Sequence, residues 1–421
     1  MKGLPGFRDF YPEPIPTADS WSIDLRRYIF DTWRGTAERY GFREYDGPPI
    51  EDLELYTKKS GDEIVGQLYN FTDKGERNVS LRPEMTPTLA RMAASHTRNY
   101  KKPLKWFSIP QLFRYERQQK GRLREHFQLN ADIIGEENWA ADAELIALLI
   151  DTLRDLKLTS DDFVVRLSSR SAWQGFHENG GGQEKDAYAF YQIVDKLDRE
   201  DPVVSGNKLA KLGFSLEHLN DFIESGQPTD ELAAIIGNIE ARGLGDFIKI
   251  DYRIIRGLAY YTGPVYEAFD KRGKFRAIAG GGRYDHLVKL VSGGKSDLAA
   301  LGFGMGDVVL AELLKDRDLV PPLGQALDAF VQIADESLRN ASLGIVQQLR
   351  QAGLVTEYPL LKTKPDKQLK RALELNAKWL VTLDNPTQAR VKNLKTREEQ
   401  TCLFDEVARI AKANTRPATL S

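Results

Sequence analysis

A chain of 421 residues, 41% hydrophobic and 29% charged, is long enough for two or three domains with sizeable cores and is not of fibrous or disordered composition. Its formal net charge of −2 argues against a general affinity for nucleic acid, although basic residues cluster at 98–105, 114–124 and 362–371. One cysteine, Cys402, excludes internal disulfides and cysteine-built metal clusters, and no apolar run reaches the ~20 residues of a membrane span.

In chain order, Thr17 is placed to cap a helix over about 17–40. Trp21, Leu25, Tyr28, Ile29 and Trp33 form its apolar stripe, fit for a core or a subunit interface. GFREYDGPPIEDLELY then reads as a strand stopped by Pro48 and Pro49. Residues 78–82 alternate with Val79 and Leu81 turned inward, and Thr86 with Pro87 supplies an N-cap and a first-turn proline. Glu84 thus lies between a strand end and a helix start, a common place for ligand-binding residues. Complementing the helix dipole is its alternative use.

Residues 106–134, WFSIPQLFRYERQQKGRLREHFQLNADII, hold the most information. Phe107, Ile109, Phe113 and Tyr115 alternate with polar residues, and so do Phe127, Leu129, Ala131 and Ile133, which predicts two half-buried strands. Paired antiparallel, they put Arg114, Glu116, Gln128 and Asp132 on the face turned from the core. The connection at 117–124 exceeds a tight hairpin and carries Arg117, Lys120, Arg122 and Arg124 without an acid. Such a loop over a polar face fits an anionic ligand, or else a solvated hairpin.

A helix is predicted over 140–156 and a strand over 163–168. Between about 170 and 246, loops such as GGGQEKD and ESGQPTD separate helical stretches that include 187–199 and 229–242. IIRGLAYYTGPVYEAF places two glycines, an arginine and paired tyrosines at the head of a strand. AIAGGGRYDHLV reads as a strand, a glycine-rich turn and a helix start, where glycines expose backbone N–H groups to phosphate or carboxylate. LAALGFGMGDVVLAELL is a glycine-punctuated strand entering an apolar helix. After the linker VPPLG at 320–324, strands alternate with helices at 337–352 and 366–376, which predicts a small α/β domain with a largely parallel sheet.

FRYER, the basic loop and LREHFQ together resemble motif 2 of the class II aminoacyl-tRNA synthetases. RGLAYYTG followed by GGGRYD nearly reproduces a signature of the histidyl-tRNA synthetase family, and the resemblance extends over essentially the whole chain. It implies an α+β fold: a class II antiparallel sheet with flanking helices over residues 1–320, with a helical insertion at about 170–246. A C-terminal α/β anticodon-binding domain would follow over 326–421. The Pro48 and Pro49 element is similar to motif 1, through which class II enzymes form homodimers.

The implied chemistry is activation of histidine by ATP and transfer of histidine to tRNA(His) in the cytoplasm, with no membrane partner. Arg114 and Arg256 would face the α-phosphate from two sides, and Glu116 the adenine amino group. His126 stands at the adenine-stacking position, while Gly304 and Gly306 of the motif 3 strand and Arg122 of the loop complete the ATP contacts. Glu84 and Thr86 would hold the α-amino group, and Gln128, Asp132, Tyr260 and Tyr261 would form the histidine pocket. Arg117 and Gln119 would approach the acceptor end of tRNA. No protein-built metal site is implied; Mg²⁺ would ride on the ATP phosphates.

One departure stands out. The family usually closes motif 3 with Glu-Arg, the arginine binding ATP, where this chain has Val308 and Val309. Arg122, Arg124 and Arg283 are the candidates to compensate. The alternative is a catalytically silent relative, the regulatory subunit of ATP phosphoribosyltransferase.

Overall fold

A computed structural model of the chain describes residues 3–12, 21–60, 66–115, 123–194, 196–197, 200–254, 261–324 and 327–413. Thr17, Glu116, Arg117, Gln119, Arg122, Arg256 and Tyr260 therefore lie outside the described residues. The chain divides into two units, Met1–Pro322 and Leu323–Ser421.

In the first unit, helix α1 spans Ile23–Arg39, and Ser22 caps it by accepting the Leu25 N–H at 3.2 Å. Trp21 therefore precedes the helix instead of belonging to it. Leu25, Ile29 and Trp33 are spent in the unit's own core, packed with the apolar helix α3 introduced below. Strand β1 (Arg43–Glu44) is brief, and after Pro48 and Pro49 the chain re-enters a separate three-stranded sheet of Ile50–Asp52, Asn70–Thr72 and Asn78–Leu81. The expected alternation at 78–82 fails, because Val79, Ser80 and Arg82 are all buried while Leu81 is half-buried. Both faces are covered there, and the Ser80 hydroxyl is satisfied by the Leu81 carbonyl at 2.9 Å.

Helix α2 (Thr86–Ser95) begins one residue earlier than a Thr86 cap would allow. Met85 occupies the cap without a side-chain hydrogen bond, Thr86 is the first helical residue, and Pro87 costs no intrahelical bond because first-turn N–H groups have no partner.

Strands β2 (Leu104–Ser108) and β3 (Gln111–Phe113) are one predicted strand interrupted at Ile109 and Pro110, and both pair antiparallel with β4 (Glu125–Ile134). Proline lacks an N–H, so Pro110 contributes only its carbonyl, which accepts the Gln128 N–H at 3.2 Å. After α3 (Ala140–Asp155), β5 (Phe163–Ser169) leads into five helices: α4 (Arg170–Asn179), α5 (Glu184–Val194), α6 (Pro202–Lys211), α7 (Leu216–Ser225) and α8 (Asp230–Ala241). The sheet resumes with β6 (Ile248–Ile250), β7 (Pro264–Asp270), β8 (Ala279–Arg283) and β9 (Ala300–Gly306), which runs directly into α9 (Asp307–Asp316).

These nine strands form one sheet in the order β6-β5-β7-β8-β9-β4-β2-β1, with β3 added on β4. Every pair is antiparallel except β5 with β6 and β1 with β2, both at the margins. Leu129, Ala131 and Ile133 of β4 face α3 and the main core, as their alternation predicts. Gly280, Gly281 and Gly282 are not a turn, as expected from the sequence, but the middle of β8. The neighbouring strand comes so close that a Cβ on Gly281 would collide with the Gly302 carbonyl.

The second unit is a five-stranded sheet: β10 (Ala329–Gln332), β11 (Thr356–Glu357), β12 (Trp379–Asn385), β13 (Gln388–Asn393) and β14 (Glu399–Leu403), in the order β11-β10-β12-β13-β14. Helices α10 (Arg339–Gln351), α11 (Pro365–Glu374) and α12 (Val407–Ala413) accompany it. Only β11, β10 and β12 are mutually parallel; β13 and β14 add as antiparallel strands, so the sheet is mixed instead of largely parallel. The hairpin forms because Asn385 Oδ1 accepts the Thr387 and Gln388 N–H groups at 3.0 Å each.

Candidate active site

Two cavities open on the sheet face opposite the α3 core, and they share a wall. The larger, about 310 Å³, is lined by Arg114, His126, Gln128, Arg276, Gly304, Gly306, Val308 and Val309 among others. The smaller, about 90 Å³, is lined by Glu84, Thr86, Asn130, Asp132, Tyr261 and Tyr284. Arg114, Gln128, Gly280 and Gly304 belong to both. The described lining of the larger cavity holds two arginines and no carboxylate, whereas the smaller holds Glu84 and Asp132. An anion is favoured in one and a cation or N–H donor in the other, with Arg114 at the junction.

Strand register explains how these side chains meet. Gln128, Asn130 and Asp132 alternate along β4 and so share one face. Opposite them on β9 stand Gly306, Gly304 and Gly302. Two of these positions need glycine, since a Cβ on Gly302 would strike the Asp132 carboxyl and one on Gly304 the Gln128 amide. The floor is therefore backbone, and the polar side chains lie across it.

Asp132 is 2% exposed, which differs from the open polar face expected from alternation alone. Its Oδ1 accepts a hydrogen bond from the Tyr284 hydroxyl at 2.6 Å, while Oδ2 and Asn130 Oδ1 have no partner among the described residues. Burial pushes the Asp132 carboxyl up to about 7 against the pull of Tyr284. A buried acceptor without a donor is costly, so Oδ2 calls for a ligand that brings an N–H or O–H. Nearby, Tyr45 is half-buried with its hydroxyl fully covered, and burial with the Asp132 charge holds its phenol well above the usual range.

Arg114 is anchored by its Nε, which donates to the Pro83 carbonyl at 3.0 Å. Pro83 precedes Glu84, so the loop that carries the acid of the smaller cavity also fixes the arginine of the larger. Arg283 lies elsewhere. It is buried against Asp142, with the Glu136 carbonyl at 3.0 Å and the Trp139 ring at 5.0 Å, and it lines neither cavity. As a compensating arginine it is corrected to a structural ion pair. Arg124 stacks on the Tyr115 ring at 4.4 Å and is absent from both linings.

Four residues of this region escaped the sequence reading. Arg276 and Tyr284 line the cavities, and Asp307 with Arg8 builds their support. Arg8 donates from Nε to Glu125 at 2.6 Å and from Nη1 to Asp307 at 2.8 Å, and its guanidinium stacks over Trp21 at 4.5 Å. Asp307 Oδ1 accepts the Phe127 N–H at 3.0 Å, and Gln111 Nε2 donates to Glu125 at 3.0 Å. Only Tyr284 carried a signal, inside GGGRYD.

A profile of the histidyl-tRNA synthetase family matches residues 22–306, and one of an anticodon-binding domain matches residues 320–414. The chain is 42% identical to a histidine–tRNA ligase of Opitutus terrae, over 95% of each. It is 38% identical to the chloroplastic and mitochondrial histidine–tRNA ligase of Arabidopsis thaliana, over 89% of this chain and 79% of that one. A crystal structure of histidyl-tRNA synthetase from Nostoc superposes with a TM-score of 0.76 at 24% identity, covering 93% of this chain and 96% of the other. With the fold, the paired cavities and these matches in place, the chain belongs to the histidyl-tRNA synthetase family.

Proposed function

We propose that this protein is an ATP-dependent, AMP-forming histidine–tRNA ligase. The observation that carries the reading is the pair of joined cavities of opposite charge, with Arg114 at their junction. In the first step a histidine carboxylate oxygen attacks the α-phosphorus of ATP, and the bond to the bridging oxygen breaks to release pyrophosphate. In the second, the 3′-terminal ribose hydroxyl of tRNA(His) attacks the histidyl carbonyl, and AMP leaves.

The smaller cavity fits histidine. Glu84 and Thr86 face its α-amino group, and Asp132 Oδ2 accepts an imidazole N–H, with Gln128, Tyr260 and Tyr261 completing the pocket. The larger cavity fits ATP: His126 stacks on the adenine, Glu116 pairs with its amino group, and Gly304 and Gly306 let the nucleotide approach the backbone. Arg114 and Arg256 stabilise the charge that develops on the α-phosphoryl oxygens. Arg122 adds a phosphate contact, Arg117 and Gln119 meet the acceptor end, and Mg²⁺ enters with the nucleotide as part of the substrate.

The second unit, with residues 326–421 as the anticodon-binding domain, offers an exposed basic stretch at Lys362, Lys364, Lys367, Lys370 and Arg371. Five helices between Arg170 and Ala241 form the insertion of the catalytic domain. We place the protein in the cytoplasm as a symmetric homodimer. Ile50 and Phe71 leave the three-stranded sheet exposed beside Pro48 and Pro49, which supports that face as the interface. A stable, active monomer in sedimentation at micromolar concentration would refute the dimer. No helix among the described residues is long and apolar enough to cross a membrane.

The deciding experiment is histidine-dependent ATP–pyrophosphate exchange followed by charging of tRNA(His). Exchange with histidine and not with other amino acids is expected. Absence of exchange, together with binding to an ATP phosphoribosyltransferase catalytic subunit, would assign the chain to the regulatory role.

A further inference from the structure

We propose that Arg276 binds the terminal phosphates of ATP, supplying from the β7–β8 connection the guanidinium that Val309 cannot. The inference rests on the larger cavity being the nucleotide site. Among the described residues, that cavity is lined by two arginines. Arg114 also lines the smaller cavity, so it belongs to the junction where the α-phosphate meets the amino acid. Arg276 lines the larger cavity alone, away from that junction.

The sheet register says which end it occupies. Strands β8 and β9 run antiparallel with Ala279 opposite Met305. Arg276 precedes β8 and Val308 follows β9, so both leave the sheet at this same end, Val308 in the first turn of α9. Val308 and Val309 line the cavity from that turn, and their side chains offer an anion no hydrogen bond. Arg276 is solvent-exposed, so its side chain can reach an incoming ligand, and an always-charged planar guanidinium is suited to bidentate phosphate binding.

Two other arginines of this unit are committed to buried ion pairs. Arg8, 2% exposed, is held between Glu125 and Asp307, and Arg283, 3% exposed, is held by Asp142. The family's arginine on the helix after β9 and Arg276 on the connection before β8 are thus two routes to one charge in one cavity. The sequence could not disclose this, because positions 276 and 308 come to one cavity only through the pairing of β8 with β9.

Full-length Arg276→Ala and Arg276→Glu proteins test the proposal with two measurements. In pyrophosphate exchange, Arg276→Ala should raise the KM for ATP about 10- to 100-fold, as expected for loss of a charge-assisted contact, with the histidine KM within about twofold. Arg276→Glu should raise the ATP KM further. In calorimetry, ATP binding should weaken in both variants while AMP, which lacks the terminal phosphates, binds as it does to the unmodified protein. An unchanged ATP KM and affinity in Arg276→Ala, or equal losses for ATP and AMP, would overturn the assignment. If the unmodified protein shows no histidine-dependent exchange, the ligase reading fails by itself, and the comparison of ATP with AMP still decides the role of Arg276.

Discussion

Asp132 shows what burying a carboxylate costs a fold. Its carboxyl is buried and titrates near 7, so between the ordinary carboxylate range and that value the folded state keeps a proton the unfolded chain has released. Stability therefore falls as pH rises through this window. Asp132→Asn keeps the shape and an acceptor for Tyr284 but removes the charge. The variant should be more stable than the unmodified protein by on the order of 2–4 kcal/mol at about pH 8, a gap that shrinks towards about pH 4.5. Histidine affinity should drop roughly 10²-fold or more, because the pocket loses its charged acceptor. Urea unfolding at both pH values, with histidine titration, checks this; a gap that does not depend on pH would show that the carboxyl is not titrating in the fold. At this scale the sequence was legible wherever alternation or a motif placed the residue, as at Gln128 and Asp132. Arg8 could not be read, since its partners Glu125 and Asp307 are 117 and 299 positions away and no local period encodes such a pair.

The junction of β4 with α9 is the element that this ion pair secures. Glu125 opens the strand bearing His126, and Asp307 opens the helix bearing Val308 and Val309, so Arg8 ties together two walls of the larger cavity. Removing the arginine would leave two carboxylates buried against each other. Arg8→Met should cost about 3–5 kcal/mol in urea unfolding and raise the KM for ATP more than that for histidine. A loss below about 1 kcal/mol, or equal changes in both constants, would mean the pair is incidental to the site. Elements were read best where periodicity was long, as in α3 and β4, and worst where glycine had two uses. The run Gly280, Gly281, Gly282 has turn composition, yet it forms a strand, where β9 at Gly302 and Phe303 takes the space of a Cβ on Gly281 and β7 at Pro264 and Val265 that of one on Gly282. The β13–β14 additions were missed for a different reason. Strand β14 lies at a sheet edge with four of its five residues exposed, so it carries almost no hydrophobic signal.

Across the whole molecule, the two units have separate cores, and the proposed function divides chemistry and tRNA reading between them. The buried clusters of the first unit draw on residues up to Leu314, and those of the second begin at Leu327. The boundary after Pro322 falls inside VPPLG, a linker the sequence marked by composition, and both cavities are built from the first unit alone. Since the buried clusters of each unit are drawn from its own described residues, truncation there removes no such core residue from the site. A protein ending at Pro322 should fold cooperatively and keep histidine-dependent pyrophosphate exchange within about tenfold of the full chain, because the contacts proposed for histidine and ATP all lie in the first unit. Charging of tRNA(His) should fall much further, by roughly 10²-fold or more, with the loss in the KM for tRNA, since the exposed basic stretch around Lys364 and Arg371 is gone. Raising the salt concentration should weaken tRNA binding to the full chain more steeply than to the truncated one, by the counterions those side chains release. A truncated protein that charges tRNA(His) at the full rate would remove the second unit from tRNA recognition. One that folds but has lost exchange would show that the active site depends on the second unit.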